Sequence, residues 1–429
     1  LETQVVSRII FELFIIFLVA KITAELFERI KQPVVIGELL AGIIIGPSLL
    51  GLIGNPSPIS IQFFEEVAKL PLAEAKEVAK DATKLIFEVL AELGVIVLLF
   101  SVGLETNLNA LIKLGGRAMA VAIMGVIFPF VLGAGLTIAL NYKFEESLFI
   151  GAAMVATSVG ITARVLRDIG KLQTAESRII LGAAVIDDVL GILVLTVVLG
   201  ISKQGVSVLE IAGLIAVSFG FLGLGLLIGV FGVRRISIHF DKLHLHNPAF
   251  AISLIVCLGL AAAASQIGLA AIIGAFLAGL IFSESTEQKS LEHAIRPVFE
   301  LLVPVFFVIT GSKVQLSSFT NGSILTIAAA ITVLAILGKF IGCGLAALSM
   351  GKRSAAIIGI GMAPRGEVGL IVASIGLTQN VFTPTNGLYS VVVVMSIVTT
   401  VIVPPILSLL FKDYGGTAEK ELVESKPLP

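Results

Sequence analysis

Two carboxylates stand side by side where the chain otherwise carries no charge. Asp187 and Asp188 interrupt the run 179–201, which is apolar and long enough to cross a bilayer. Acids at such depth cost several kcal/mol even on insertion scales, so they normally face protein or water and mark a path for ions or protons. Counted from Arg178 at about 1.5 Å per residue, the pair lies about 13–15 Å along the helix, near the bilayer centre. The chemistry open to it is reversible. A carboxylate in a dry cavity can hold a proton or, when ionised, a small hard cation through its oxygens.

Other residues could complete such a site. Lys339, inside Ala335-Ile336-Leu337-Gly338-Lys339-Phe340, is too deep for its ammonium to reach water and needs an acidic partner. Neighbouring residues on a helix point about 100° apart, so Asp187 and Asp188 cannot face one ligand equally. The division favoured is Asp187 paired with Lys339 and Asp188 facing the cavity, with Lys339–Glu367 as the other pairing. The segment Ala156-Thr157-Ser158-Val159-Gly160-Ile161-Thr162 is polar and glycine-bearing halfway across its span. Thr157 and Ser158 can offer oxygen ligands, or with Gly160 they simply let helices pack closely. In Gly359-Ile360-Gly361-Met362-Ala363-Pro364-Arg365-Gly366-Glu367, Pro364 should break the helix, leaving Glu367 near the positive end of a new half-helix. Arg365 and Glu367 are expected to neutralise each other and the broken-helix dipoles, direct ion contact being the lesser role. Arg365 could instead stay near water.

The elements that position these residues follow from composition. Of 429 residues 57% are hydrophobic and 14% charged, against about 25% charged in a soluble domain, so the chain reads as an all-α polytopic membrane protein. The net charge of −1 and the lack of a basic tract give no sign of nucleic acid. Cys257 and Cys343 lie in apolar helices, where packing rather than a disulfide or metal site is expected. Arg8 leads straight into a full-length span, so no cleavable leader is expected.

Breaks in the apolar runs predict thirteen crossings, at 8–28, 33–53, 85–104, 117–140, 147–167, 178–201, 207–232, 248–266, 268–284, 296–313, 321–350, 354–378 and 386–411. Arg29, Lys31, Arg117, Arg167, Arg178, Arg234, Arg235, Lys352 and Arg353 gather on one side. The positive-inside rule therefore places the N-terminus outside and the C-terminus in the cytoplasm. The loop 55–84, rich in Lys, Glu and Ala, reads as an amphipathic surface helix on the outside. Lys21 and Glu25 are spaced to pair. His239, His244, His246 and His293 fall in cytoplasmic loops, where pH sensing is open and a metal site is not expected.

The chain also resembles itself. Val35-Ile36-Gly37-Glu38-Leu39-Leu40-Ala41-Gly42 is similar to Ile272-Ile273-Gly274-Ala275-Phe276-Leu277-Ala278-Gly279, and Gly133-Ala134-Gly135-Leu136 to Gly342-Cys343-Gly344-Leu345. Gly151 and Met154 match Gly359 and Met362 in the same order. The separation is nearly constant except where the loop 55–84 would be an insertion. A shift of seven crossings reverses orientation, so two inverted repeats are predicted, with discontinuous helices at the fifth and twelfth crossings. The first repeat is 1–200, the linking helix and loop 201–247, the second repeat 248–412, and the cytoplasmic tail 413–429.

The Asp187-Asp188 pair, the deep Lys339, the Thr157-Ser158 interruption and the Ala-Pro-Arg-Gly-Glu break together resemble bacterial sodium/proton antiporters. The likeness is to the second monovalent cation/proton antiporter family, of the NapA-like, thirteen-helix type. It implies a homodimer with a dimer domain from 1–112 plus 248–320 and a transport core from 113–200 plus 321–412 that moves elevator fashion. It also implies that Asp188 carries the transported Na+, that Asp187 pairs with Lys339, and that the crossing breaks fall at Thr157-Ser158 and Arg365-Glu367. Two acids in tandem go with electrogenic exchange in that family. Such a protein is a secondary active transporter of the bacterial inner membrane, not an enzyme. It needs no cofactor beyond transported Na+ and H+, with Li+ and K+ as other candidates.

The residues also suggest a mechanism. Cation and proton compete for Asp188, and if only an occupied site crosses, competition alone yields exchange. Opening of Asp187–Lys339 on cation binding would supply a second proton. The rivals are a K+/H+ antiporter or potassium-efflux member of the same superfamily, a sodium-coupled organic-anion symporter, and a non-transporting sensor. The potassium-efflux members often carry a large nucleotide-binding tail, for which the stretch after Phe411 is too short.

Overall fold

Backbone amides and carbonyls in hydrocarbon need internal partners, which is why an apolar chain of this kind is built from helices. The computed structural model describes residues 2–30, 32, 34–106, 108–203, 213, 216–225, 227, 247–283, 285, 288–313, 322–379, 381–382, 387–412 and 414. Among the described residues there is helix and no strand. In chain order the helices are α1 (Glu2–Arg29), α2 (Val34–Ile45), α3 (Pro58–Glu66), α4 (Leu72–Glu105), α5 (Leu108–Ala139), α6 (Phe144–Val155), α7 (Val159–Asp168) and α8 (Ala175–Lys203). They continue as α9 (Ala216–Gly225), α10 (Pro248–Gln266), α11 (Ala271–Ser283), α12 (Gln288–Ser312), α13 (Gly322–Ala346), α14 (Lys352–Gly361), α15 (Glu367–Thr378) and α16 (Leu388–Phe411).

Eight stretches of described residues are long and apolar enough to cross a membrane, beginning with Leu72–Glu105, Lys113–Ala139, Phe144–Asp168 and Ala175–Leu199. The others are Pro248–Gln266, Gln288–Ser312, Ile324–Ala346 and Leu388–Phe411. Helix limits differ from the expected crossings for local reasons. The helix expected over 33–53 stops at Ile45, because Gly46 and Pro47 follow and the residue before a proline is driven out of helical backbone. The surface helix expected within 55–84 is two pieces. Ser57 caps α3 by accepting from the Ser60 amide, with Pro58 at the first position. α4 then runs unbroken for 34 residues, since 72–93 hold strong helix formers and neither Gly nor Pro. The run expected over 321–350 ends at Ala346 in a 3-10 turn, Leu348–Met350, after which Gly351 at φ +97° resets the chain into α14. Most of the linking segment 201–247, the tail 413–429 apart from Tyr414, and His239, His244 and His246 lie outside the described residues.

The chain divides into two compact units, Leu1–Leu98 with Arg296–Ser317, and Leu99–Ile295 with Ser318–Pro429. In the first, Gly42 lets α2 and α12 touch: a Cβ there would overlap the Val308 carbonyl and the Ser312 amide. Glu12, 1% exposed in α1, is held by Arg8 Nε at 2.8 Å, and Arg8 Nη2 also reaches the Leu52 carbonyl at 3.3 Å. Glu25 pairs with Arg29 at 2.8 Å and not with Lys21, whose ammonium lies 5.2 Å over the Phe17 ring. The core of the second unit packs Phe149 and Met154 of α6, Ile331 and Ala335 of α13, and Val391, Val392 and Met395 of α16. Phe149 meets Phe382 edge-on at 5.9 Å.

The Glu12 contact yields a stability test. Arg8→Leu leaves a buried carboxylate without its cation and should cost about 1–3 kcal/mol. Arg8→Leu/Glu12→Leu should recover most of that loss, because a buried ion pair is replaceable by apolar packing. Thermal unfolding midpoints in detergent check both. A single variant as stable as the parent would mean that the pair contributes nothing.

Candidate ion-binding site

The site lies within the second unit and starts from α8. Its apolar run forms one helix of 29 residues, which places Asp187 and Asp188 inside protein at 0% and 5% exposure. α13 brings Lys339, also 0% exposed, so that its Nζ donates to Asp187 Oδ1 at 2.8 Å. Asp187 Oδ2 has no hydrogen-bond partner among the described residues. Gly125 of α5 makes room for the lysine, since a Cβ there would come within 3.2 Å of Nζ and 2.7 Å of Cys343 Sγ. Cys343, one turn beyond Lys339, directs its thiol to the Val121 carbonyl at 3.5 Å.

Two interruptions adjoin in the same unit. Residues 156–158 separate α6 from α7, with Ala156 and Ser158 in extended backbone, and residues 362–366 separate α14 from α15. Each stretch satisfies groups that the other leaves open. The Ser158 amide donates to the Pro364 carbonyl at 2.8 Å, and Thr157 Oγ1 donates to the Met362 carbonyl at 3.1 Å. Thr162 Oγ1 donates to the Gly361 carbonyl at 2.8 Å. The Ser158 hydroxyl is buried without a hydrogen-bond partner among the described residues, and Gly160 is buried in the first turn of α7.

Arg365 is fully buried, so the alternative that it stays near water does not hold. Its guanidinium turns to backbone: Nη1 donates to the Val155 and Ala156 carbonyls at 3.2 and 2.8 Å, and Nη2 to the Ala335 carbonyl at 3.3 Å. A fixed cation thus sits on the negative end of α6. Glu367 opens α15, and its side chain lies outside the described residues.

Sequence reasoning passed over several polar residues. Thr399 and Thr400 of α16 bind the Arg365 backbone at 3.1 and 2.7 Å. Glu176, buried at the start of α8, accepts from Ser354 at 2.7 Å and from the Tyr414 hydroxyl at 3.0 Å, and Lys171 Nζ donates to the Tyr414 carbonyl at 2.8 Å. A hydroxyl inside an apolar helix gives no signal of its partner. Only the charge of Glu176 so early in a span could have been noticed. No group of three or more His, Cys, Asp or Glu among the described residues could hold a metal ion.

A family model described as "Sodium/hydrogen exchanger, transmembrane" matches residues 14–413. The chain is 37% identical over 443 residues to the high-affinity Na(+)/H(+) antiporter NhaS3 of Synechocystis sp., covering 99% of this chain and 94% of that protein. It is 34% identical over 419 residues to the Na(+)/H(+)-K(+) antiporter GerN of Bacillus cereus, covering 97% and 98%. The solved structure of the sodium proton antiporter MjNhaP1 from Methanocaldococcus jannaschii at pH 8 superposes with a TM-score of 0.62, covering 98% of this chain and all of that one. At 17% identity, that likeness is one of fold.

The packing around Lys339 is testable without transport. Gly125→Ala should destabilise the protein by about 1–3 kcal/mol through overpacking. Cys343→Ala in the same chain should return part of that, because it removes the nearest obstructing atom. Unfolding midpoints of the two single variants and the double variant measure the coupling. Strict additivity would show that the two positions do not touch.

Proposed function

The chain belongs to the transmembrane sodium/hydrogen exchanger family, and from that premise we propose that it exchanges cytoplasmic Na+, or Li+, for external protons. It is a multi-pass membrane protein. The exchange is electrogenic and works by elevator-type alternating access, with Asp188 as the shared carrier of cation and proton.

The observation that carries this reading is the Lys339–Asp187 contact of 2.8 Å at zero exposure. One acid of the tandem is engaged by a cation of the protein itself, and the next residue presents a second carboxylate from a different angle of the same helix. Burial favours a neutral site, and Asp188 reaches neutrality with either a proton or a monovalent cation. The two occupants exclude each other. If only the occupied site crosses, inward proton movement drives cation export. On cation binding the Asp187–Lys339 contact opens, and the pair releases a second proton.

The oxygen-bearing stretch at Thr157-Ser158 contributes cation ligands, and Gly160 permits close approach of the neighbouring backbone. Pro364 keeps the second helix broken, and Arg365 with Glu367 compensates the half-helix dipoles. Thirteen crossings in two inverted repeats, 1–200 and 248–412, place both breaks at one depth. The dimer domain is 1–112 plus 248–320, and the mobile core 113–200 plus 321–412. These domains are defined by motion and so differ in limits from the two compact units. The N-terminus faces outward, and the C-terminus faces the cytoplasm from a bacterial inner membrane. The similarity to GerN, an Na(+)/H(+)-K(+) antiporter, supports K+ as a second transported cation.

Two experiments in proteoliposomes test this. In the first, proton flux driven by Na+, Li+ or K+ should appear in the parent. It should fall to the level of protein-free vesicles in Asp188→Asn and drop in Lys339→Ala, which leaves a buried carboxylate unpaired. Unimpaired exchange in Asp188→Asn would end the carrier assignment. In the second, the reversal potential should report two protons per Na+. A value of one would remove the second-proton step.

A further inference from the structure

Arg365 lies in a stretch without helical backbone bonds, so its amide and carbonyl must find partners elsewhere, and it is fully buried. Adjacent hydroxyls of α16 meet both. Thr399 Oγ1 accepts the Arg365 amide at 3.1 Å while giving its own hydrogen to the Met395 and Ser396 carbonyls at 2.9 and 3.1 Å. Thr400 Oγ1 donates to the Arg365 carbonyl at 2.7 Å. Threonine inside an apolar helix ordinarily returns its hydrogen to its own helix. Thr399 does so and still has lone pairs for the amide. Thr400 sends its hydrogen out to Arg365 instead, which packing alone does not call for.

Two residues adjacent on a helix and about 100° apart thus reach one backbone unit from two directions. That fixes both its position and its rotation. The side chain so held spans the site. Its guanidinium grips the Val155 and Ala156 carbonyls, immediately before Thr157 and Ser158. It also grips the Ala335 carbonyl, one turn of α13 ahead of Lys339.

We propose that Thr399 and Thr400 are positioning residues for cation binding: a hydroxyl clamp on α16 that holds the Arg365 backbone, so that its guanidinium fixes the end of α6 and the turn carrying Lys339. The inference rests on the exchanger reading above. With the hydroxyls gone, Arg365 leaves the α6 carbonyls, the Thr157-Ser158 oxygens lose their fixed placement, and the cation binds more weakly.

Thr399→Val/Thr400→Val keeps shape and removes both hydroxyls, whereas Thr399→Ser/Thr400→Ser keeps both. Sodium-driven proton flux in proteoliposomes, normalised to monodisperse protein, gives the half-saturating Na+ concentration and the maximal rate. The valine pair should raise half-saturation about tenfold with the maximal rate within about twofold, and the serine pair should stay within about twofold of the parent. Parent-like half-saturation in the valine pair overturns the proposal. So does a serine pair shifted as far as the valine pair, because volume and not hydroxyl would then matter. If the valine pair yields no monodisperse protein, Thr400→Val alone, which leaves the Arg365 amide paired, should raise half-saturation about threefold, and no change would overturn the clamp. A parent without sodium-driven flux would remove the exchanger reading and this proposal with it, whereas an active parent beside unaffected variants removes the clamp alone.

Discussion

An ammonium and a carboxylate in contact at 2.8 Å, with neither exposed, is the constraint around which the second unit is arranged. Neither ion could be buried alone without a desolvation penalty of several kcal/mol, and each is tolerated because the other is there. The pair also dictates its surroundings. A glycine must stand at 125, because a larger residue would press on Lys339 and Cys343. α5, α8 and α13 must converge at that level. Such a contact is a poor source of stability compared with apolar packing of the same volume, so its presence at this depth argues for a role in what the site binds.

The same difficulty recurs in backbone form at the two interruptions. Ending a helix inside protein leaves carbonyls and amides without partners, and at these breaks they are met by one another and by a few side chains. Thr157, Ser158 and Thr162 serve the end of α14, and Arg365 serves the end of α6. A hydroxyl or guanidinium does here what water would do at a surface. Water exchanges partners freely, whereas these groups hold one geometry. In the proposed scheme, a site framed by them has its oxygens placed before a cation arrives.

The parts legible in sequence were those that violate the apolar pattern. Two acids, one lysine, and a proline between glycines stand out in uncharged runs, and the helical architecture follows from composition. What stayed hidden depends on distance in space. The Arg365 guanidinium reaches carbonyls at the end of α6, far from it in the chain, where no spacing rule points. Thr399 and Thr400 look like packing residues until the partner strand of chain is seen beside them. Glu25 had cations four residues away on both sides. The i,i+4 rule alone does not choose between Lys21 and Arg29, but an acid N-terminal to its cation is the better order, and Glu25–Arg29 has it. Helix ends moved for similar reasons, at Gly46-Pro47 and at Gly351.

The tandem of acids makes sense once the two are given unequal partners. Asp187 meets a cation of the protein itself, Lys339, at 2.8 Å. In the proposed scheme Asp188, one residue on and about 100° round the helix, takes up either a proton or a monovalent cation. If the internal pair stayed closed throughout, one proton would be traded for one monovalent cation and no net charge would move. Electrogenic exchange therefore requires the internal pair to change its proton content during the cycle, and Asp187 Oδ2, which has no hydrogen-bond partner among the described residues while Oδ1 holds Lys339, is the atom through which that pair can respond to what Asp188 binds. In the proposed scheme the second acid is the carrier and the first, with its lysine, sets how many protons each cation is worth.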